Sequence, residues 1–311
     1  MTTGSPEFAI SIPQFVPDGT FDPAGFRAYL GRAEELGFRS GWTAEQVLGS
    51  MPHLGPVETL SYAAACTERL RLGCAVFVTP LHSPLHLAKS ISSLDQLSRG
   101  RVEVGVGTGG GFRMFSAFGV DGQHFVSRFT EGLELMRAMW TQDRVDFDGR
   151  FWQAHGAAME PKPFQKPHPP VWFGGSHPDA LRRAVRLADG FMGAGSTTTE
   201  DFIAQAGVVR EALAEQGRDP AAFRVAKRVY VGVGDDPDRA RRRTGDALSQ
   251  LYGYFGMKGI ERVGVAGRPG DVAAELARIA AAGADLILLN PLSGEAEQME
   301  RLAAEVIPQL A

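Results

Sequence analysis

Short apolar runs of strand length alternate with segments of helical periodicity along nearly the whole chain, and this alternation constrains the fold more than any other feature. Strand-like runs fall near residues 8, 40, 71, 102, 171, 190, 225 and 285. Each is followed by helix signals. Asp22 can cap a helix with Pro23 at its first position, and that helix ends near Gly37. Residues 57–69 carry Leu60, Ala63, Ala64 and Thr67 at helical spacing, and Ser83-Pro84 opens a helix that reaches Leu97. A further helix covers about 127–140, with Leu133, Met136, Met139 and Trp140 on one stripe. Eight βα units in 311 residues fit one α/β domain over 1–311, a single (β/α)8 TIM barrel. The pattern breaks only at about 145–170, between strands four and five. There Phe147-Asp148-Gly149-Arg150-Phe151-Trp152 reads as a hairpin around Asp-Gly, and Pro161, Pro163, Pro167, Pro169 and Pro170 hold the chain extended. This segment is an insertion rather than a barrel unit.

The fourth strand carries an unusual density of glycine. Gly100 marks the end of the preceding helix, Val102, Val104 and Val106 alternate at strand spacing, and Gly105, Gly107, Gly109, Gly110 and Gly111 follow within seven positions. Backbone without Cβ atoms admits close approach by another group. Two readings stand side by side: a planar ligand lying across the end of the sheet, or a barrel strand whose small residues relieve crowding. The stretch resembles a GxGxxG fingerprint, but that fingerprint belongs to the first strand of a βαβ unit, and three βα units precede this one.

Composition narrows the partners. A net charge of −4 and a pI near 6.0 give no electrostatic footprint for nucleic acid or a membrane surface. The two cysteines, Cys66 and Cys74, imply no disulfide framework and suit a reducing cytoplasm. The first residues show no signal-peptide pattern, and no apolar run approaches membrane-spanning length. His82 and His86, four apart, suit one helix face, but no third ligand accompanies them, so no metal site is expected. His53 reads as a surface histidine. Neither a GxSxG elbow nor a Cys-His pair supports covalent catalysis.

In such a barrel the chemistry gathers where strands end and helices begin. That rule selects Gln14 and Phe15, then Glu45 and Gln46, Thr79, Gly107-Thr108-Gly109, Gly174-Gly175-Ser176, Gly193-Ala194-Gly195-Ser196 and Asn290. The turns at 174–176 and 193–196 lie on adjacent strands, each ahead of a helix, and their small residues and free amides favour a phosphate cradle over two ordinary βα turns. Glu45 and Gln46 offer an acid and a donor–acceptor amide to the edge of a ring or a substrate. Phe15, Trp42, Phe77 and Phe112 are aromatic candidates for a pocket wall.

Several phrases, in order along most of the chain, resemble the luciferase-like monooxygenase superfamily, the bacterial-luciferase-type barrels that use flavin or deazaflavin. They are Leu94-Asp95-Gln96-Leu97-Ser98-Arg99-Gly100-Arg101 leading into Gly105-Val106-Gly107, the 147–152 hairpin, Pro161-Lys162-Pro163-Phe164-Gln165, Pro169-Pro170-Val171-Trp172-Phe173-Gly174-Gly175 and Ala188-Asp189-Gly190-Phe191. The resemblance implies a tricyclic ring at the C-terminal mouth of the barrel. It implies a bulge with a non-proline cis peptide in strand three near Ala75-Val76, and contacts to the ring from Gly107, Thr108 and Gly109. The phosphate would be held by Phe173, Gly174, Gly175 and Ser176 with Gly193, Ala194, Gly195 and Ser196. Where the family often has an acidic residue then histidine, this chain has Glu45-Gln46, and Gly109-Gly110-Gly111 replaces a loop that commonly carries tryptophan.

The activity implied is hydride transfer between the deazaflavin coenzyme F420 and a small organic substrate, with Glu45 and Gln46 as catalytic candidates. Two alternatives remain open: an FMN-dependent monooxygenase using reduced flavin and oxygen, and a flavin-binding barrel without turnover. A phosphate-binding isomerase would need a base and electrophile pair that the sequence does not offer. By the same resemblance the protein is expected to be a homodimer, and its cysteine usage suits the cytoplasm.

Overall fold

The computed structural model describes residues 5–16, 18–109, 112–253 and 256–310. In chain order the strands and helices are β1 (Glu7–Ser11), α1 (Pro23–Glu35), β2 (Ser40–Thr43), α2 (Pro56–Cys66), β3 (Arg71–Val78), α3 (Pro84–Leu97), β4 (Val102–Gly107) and α4 (Phe125–Thr141). A hairpin of β5 (Val145–Asp148) and β6 (Gln153–Ala157) follows. The alternation then resumes with β7 (Val171–Gly174), α5 (Pro178–Leu187), β8 (Gly190–Gly193), α6 (Thr199–Glu215), β9 (Arg224–Val233) and α7 (Pro237–Gly253). It ends with β10 (Val265–Gly267), α8 (Pro269–Ala281), β11 (Leu286–Pro291) and α9 (Glu295–Arg301). The main sheet has the order β10-β9-β11-β1-β2-β3-β4-β7-β8, and a further β8–β9 pairing closes it. The eight expected strands are therefore the staves of a closed parallel (β/α)8 barrel. The short β10 only adds to the edge of β9.

The chain divides into two compact units. The first comprises Met1–Pro13, Ala28–Trp42 and Trp172–Ala311. In it β1 pairs with β11 and β2, β11 with β9, and β8 with both β7 and β9, all parallel. Leu286, Ile287, Leu288 and Leu289 are all at or below 1% exposure, so β11 is apolar on both faces instead of alternating. That is the signature of a strand covered on both sides. Trp42 sits in this core, edge-on to Trp172 at 6.1 Å, with its indole N–H donating to the Ser40 hydroxyl. It is core and not a pocket wall.

The second unit comprises Gln14–Arg27 and Thr43–Val171. Its β3–β4 ladder shifts register between Cys74 and Phe77, and the Ala75-Val76 peptide is cis. Gly105 explains part of the glycine pattern: a Cβ there would come within 2.0 Å of the Cys74 carbonyl oxygen. At that position the strand is bare because β3 crosses it closely, the crowding reading and not the ligand reading. Gly109 has φ +70°, a left-handed conformation that favours glycine. Gly110 and Gly111 lie outside the described residues, as does the side chain of Phe112.

The insertion is an antiparallel hairpin, as the sequence indicates, followed by a proline-rich run that is bent at several residues and cis at Glu160-Pro161 and Lys166-Pro167, where the sequence predicts a continuously extended stretch. Its hold on α3 accounts for two of the family phrases. The fully buried Asp95 carboxylate accepts from the Gln165 backbone N–H and side-chain amide, both at 2.8 Å. The Gln165 amide also donates to Val102 O, and its oxygen accepts from Arg71, whose Nε meets Glu103. Gln96 donates to Lys162 O at 2.7 Å. On the hairpin, Glu131 of α4 accepts from the backbone N–H groups of Arg150, Phe151 and Trp152. The pairing of His82 with His86 does not hold. Pro84 starts α3, so His82 precedes the helix and only His86 lies on it.

Candidate active site

In the second unit the polar groups at the strand ends converge on the carboxylate of Glu45. Its side chain is 2% exposed, accepts the Val78 backbone N–H at 2.6 Å, and meets His82 Nε2 at 2.8 and 3.0 Å through its two oxygens. Phe77, buried and therefore not a wall, packs edge-on against that imidazole at 6.4 Å. Glu45 thus ties the end of β2 to the bulged end of β3 and holds an imidazole in contact. Gln46 takes no part in this cluster; its amide lies over Gly49. Gln14 braces the same loop, donating to Ala44 O and Leu54 O and accepting from Ala44 N. Thr79 donates to Gly107 O, and Gly107 is buried while Thr108 is half-buried and Gly109 exposed. Ala75 and Val76 are half-buried, and Phe15 is exposed. Ala75, Val76, Gly107, Thr108 and Gly109 thus belong to the same β3–β4 pair as this cluster.

In the first unit the two glycine turns differ in construction. After β7, Phe173 is buried, Gly174 and Gly175 are half-buried and Ser176 is exposed ahead of α5, where His177 Nδ1 accepts from Asp179 N. After β8, residues Ala194-Gly195-Ser196-Thr197 form a tight turn closed by Thr197 N–H to Ala194 O. Thr198 and Asp201 then cap α6 reciprocally. The glycines are packed: a Cβ on Gly193 would lie 2.8 Å from the Phe202 ring, and one on Gly195 2.7 Å from the Tyr230 ring.

Under this second turn lies Lys227 of β9, 2% exposed. Its ammonium donates to Ala194 O, to Thr197 O at 2.8 Å and to the Thr197 hydroxyl at 2.9 Å. Burial pushes it down to about 7, with Arg228 acting in the same sense and Asp201 opposing. Next to it on β9, the Arg228 guanidinium lies 5.0 Å over the Tyr230 ring and donates to Asn290 Oδ1. The hydroxyls of Tyr230 and Tyr252 meet at 2.8 Å, and burial pushes the Tyr252 hydroxyl well up.

Glu295, first residue of α9, has no ion pair or hydrogen-bond donor among the described residues, and burial pushes it up to about 7. Its charge is felt by Tyr29, whose buried hydroxyl donates to Ser11 O at 3.0 Å. Lys227, His82 and Glu295 all escape a reading by motif. The one signal was Lys227 itself, one of only five lysines, placed inside an apolar strand. Among the described residues no group of three or more His, Cys, Asp or Glu could hold a metal, and no helix is long and apolar enough to cross a membrane.

A family model described as luciferase-like monooxygenase matches residues 7–304. The F420-dependent glucose-6-phosphate dehydrogenase of Beutenbergia cavernae is 30% identical over 259 residues, covering 79% of this chain and 73% of that protein. The FMNH(2)-dependent dimethylsulfone monooxygenase of Pseudomonas putida is 27% identical over 285 residues, covering 80% and 77%. Among solved structures, the monooxygenase RslO1 from Streptomyces bottropensis superimposes with a TM-score of 0.84 at 25% identity, over 98% of this chain and 100% of that one.

Proposed function

Because the chain belongs to the luciferase-like monooxygenase family, we propose that it is a flavin- or deazaflavin-dependent oxidoreductase, and more narrowly that it moves a hydride between F420 and a small organic substrate. The observation that carries this reading is the register shift of β3 between Cys74 and Phe77, beside the Gly107 and Gly109 end of β4. Within each unit the residues present fit such a cofactor: small side chains at Ala75, Val76 and Thr108 with Gly107 and Gly109 would take a flat ring in the second, and the amide-bearing turns at 173–176 and 193–196 would take a phosphate in the first. When bound, the cofactor supplies the hydride-carrying atom. Glu45 fixes the Val78 amide and so the end of the bulge. His82, held by Glu45, provides the imidazole that Gln46 does not, and this pair is assigned the proton.

F420 is preferred to reduced FMN with oxygen because the phrases that carry the family resemblance look most like its deazaflavin branch; the F420-dependent and FMNH(2)-dependent relatives are about equally similar, at 30% and 27%. The test is a fluorescence titration with each cofactor. Tight deazaflavin binding is expected; tight FMN binding with none for the deazaflavin would transfer the assignment to the monooxygenase reaction. Saturable binding without hydride transfer to any acceptor would favour a non-catalytic barrel.

A further inference from the structure

Within the first unit, one level of polar side chains inside the barrel takes no part in the proposed cofactor chemistry. Trp42 and Trp172 stand on strands that are not neighbours in the sheet, yet their rings meet at 6.1 Å, so both point into the barrel. Ser11 is paired with Trp42 and therefore faces the interior with it. One step beyond the Ile10–Leu289 pair, Ser11 lies beside Asn290, and Asn290 is paired with Tyr230. Arg228 is two residues before Tyr230 on the same face of β9, and its Nε–H donates to Asn290 Oδ1 at 2.8 Å. Three adjacent strands, β9, β11 and β1, thus contribute a guanidinium, an amide and a hydroxyl to one level of the interior.

Two of these groups have spare hydrogen-bonding capacity. Ser11 is 8% exposed, and its hydroxyl has no hydrogen-bond partner among the described residues, whereas the interior hydroxyl of Ser40 accepts from Trp42. Such a buried, unsatisfied hydroxyl is rare. The Tyr29 hydroxyl holds Ser11 O at 3.0 Å, which fixes the backbone that aims this side chain. Asn290 is 6% exposed; its oxygen accepts from Arg228, while its amide N–H groups have only Pro291 O among the described residues, at 3.4 Å. Because Asn290 Oδ1 is neutral, it orients the half-buried guanidinium without cancelling its charge. Lower on the same face of β9 the reverse holds, and Arg224 is paired with the Glu7 carboxylate. No acidic residue stands at the interior-facing positions above that pair on the three strands.

A positively charged arc rich in donors answers to an anionic oxygen acceptor. We infer that the arc is a carboxylate subsite: the organic substrate carries a carboxylate that is received by Arg228 and the Asn290 amide, with the Ser11 hydroxyl as a further donor. This rests on the proposed function only for the reaction that follows binding. The three residues decide which substrates are admitted, and none of them is assigned the proton or the hydride.

The test is titration calorimetry with two matched pairs of small molecules, hexanoate with hexanamide and benzoate with benzamide, each with and without saturating F420. The members of a pair share a shape and differ in charge, so their affinity ratio reads the subsite. The wild-type protein should bind an acid about tenfold or more tightly than its amide, the scale of hydrogen bonds to a charged group. Asn290→Asp keeps the side-chain shape and sets a carboxylate against Arg228, so the acid preference should vanish. Arg228→Met should abolish it as well, and Arg228→Lys should restore part of it. Ser11→Ala should lower acid affinity about threefold or more and leave amide affinity as it was. The ligand-free Ser11→Ala protein should melt no lower than wild type, because the hydroxyl removed has no partner; a purely structural role would lower the melting temperature instead. Equal binding of acid and amide in both conditions, or an acid preference that survives Asn290→Asp, would overturn the subsite and leave the cofactor reading standing. If Arg228→Met does not fold, Asn290→Asp and Ser11→Ala decide between these outcomes. Acid preference in a protein that binds neither F420 nor FMN would keep the subsite and overturn the cofactor reading.

Discussion

Replacing Glu295 with glutamine should stabilise the protein at alkaline pH and do almost nothing at acid pH. The half-buried Glu295 carboxyl has no counter-charge among the described residues, and desolvation pushes it from 4.5 up to about 7. Between those values the folded chain holds a proton that the unfolded chain has released. The unfolded state thus binds fewer protons, and stability falls as pH rises through this window, levelling off above it. A difference of about 2.5 units, at roughly 1.4 kcal/mol each, costs about 3 kcal/mol above pH 8. The N-terminal position on α9 favours the charged form by at most about 1 kcal/mol, which leaves roughly 2–3 kcal/mol. Glutamine keeps the shape of the protonated acid and cannot ionise. For a chain of 311 residues, with about 2.1 cal/mol/K of unfolding entropy per residue, the gain corresponds to a rise of about 3–5 °C in melting temperature. Urea unfolding and calorimetry at pH 4 and pH 8 would read it. A Glu295→Gln gain of equal size at both pH values, or a loss at pH 8, would refute the claim that an unpaired, desolvated charge is the cause.

Two further outcomes follow from packing. Gly105→Ala should destabilise by roughly 1–3 kcal/mol or more, because the new methyl meets the Cys74 carbonyl, a backbone atom that cannot rotate away; a urea midpoint equal to wild type would contradict this. Asp95→Ala should cost about 3 kcal/mol or more, since it removes the acceptor for two Gln165 donors in a fully buried position, and it should open the 160–170 segment to limited proteolysis before the rest of the chain.

The barrel was legible because short strand-length runs, such as the wholly apolar Leu286–Leu289, alternate regularly with segments of helical period. The helix expected to open at Ser83-Pro84 and reach Leu97 has those limits in the structure. The three residues of β10 are too few to show periodicity, and α9 with the turns after it lacks a cap signal, since Gly294 precedes it in a left-handed conformation. The Ala75-Val76 bulge came from the family resemblance; no local spacing announces it. The site was legible only as a set of strand ends. What those ends do depends on partners far away in sequence: Glu45 meets His82 across 37 positions and Lys227 meets Ala194 across 33. Gly105 shows the same limit from the other side. Its missing Cβ is as consistent with a ligand as with a neighbouring strand, and only the position of Cys74 O decides.

The three bonds of Gln14 reach Ala44 and Leu54, the two ends of the segment that carries Glu45 and Gln46. A loop riveted at both ends by a residue from a different strand end is insulated from changes in its own middle. Residues 47–51, which include the exposed Val47 and Leu48, can be exchanged or lengthened while Glu45 keeps its grip on Val78. Sequence variation has room to accumulate in that stretch without disturbing the framework beside it.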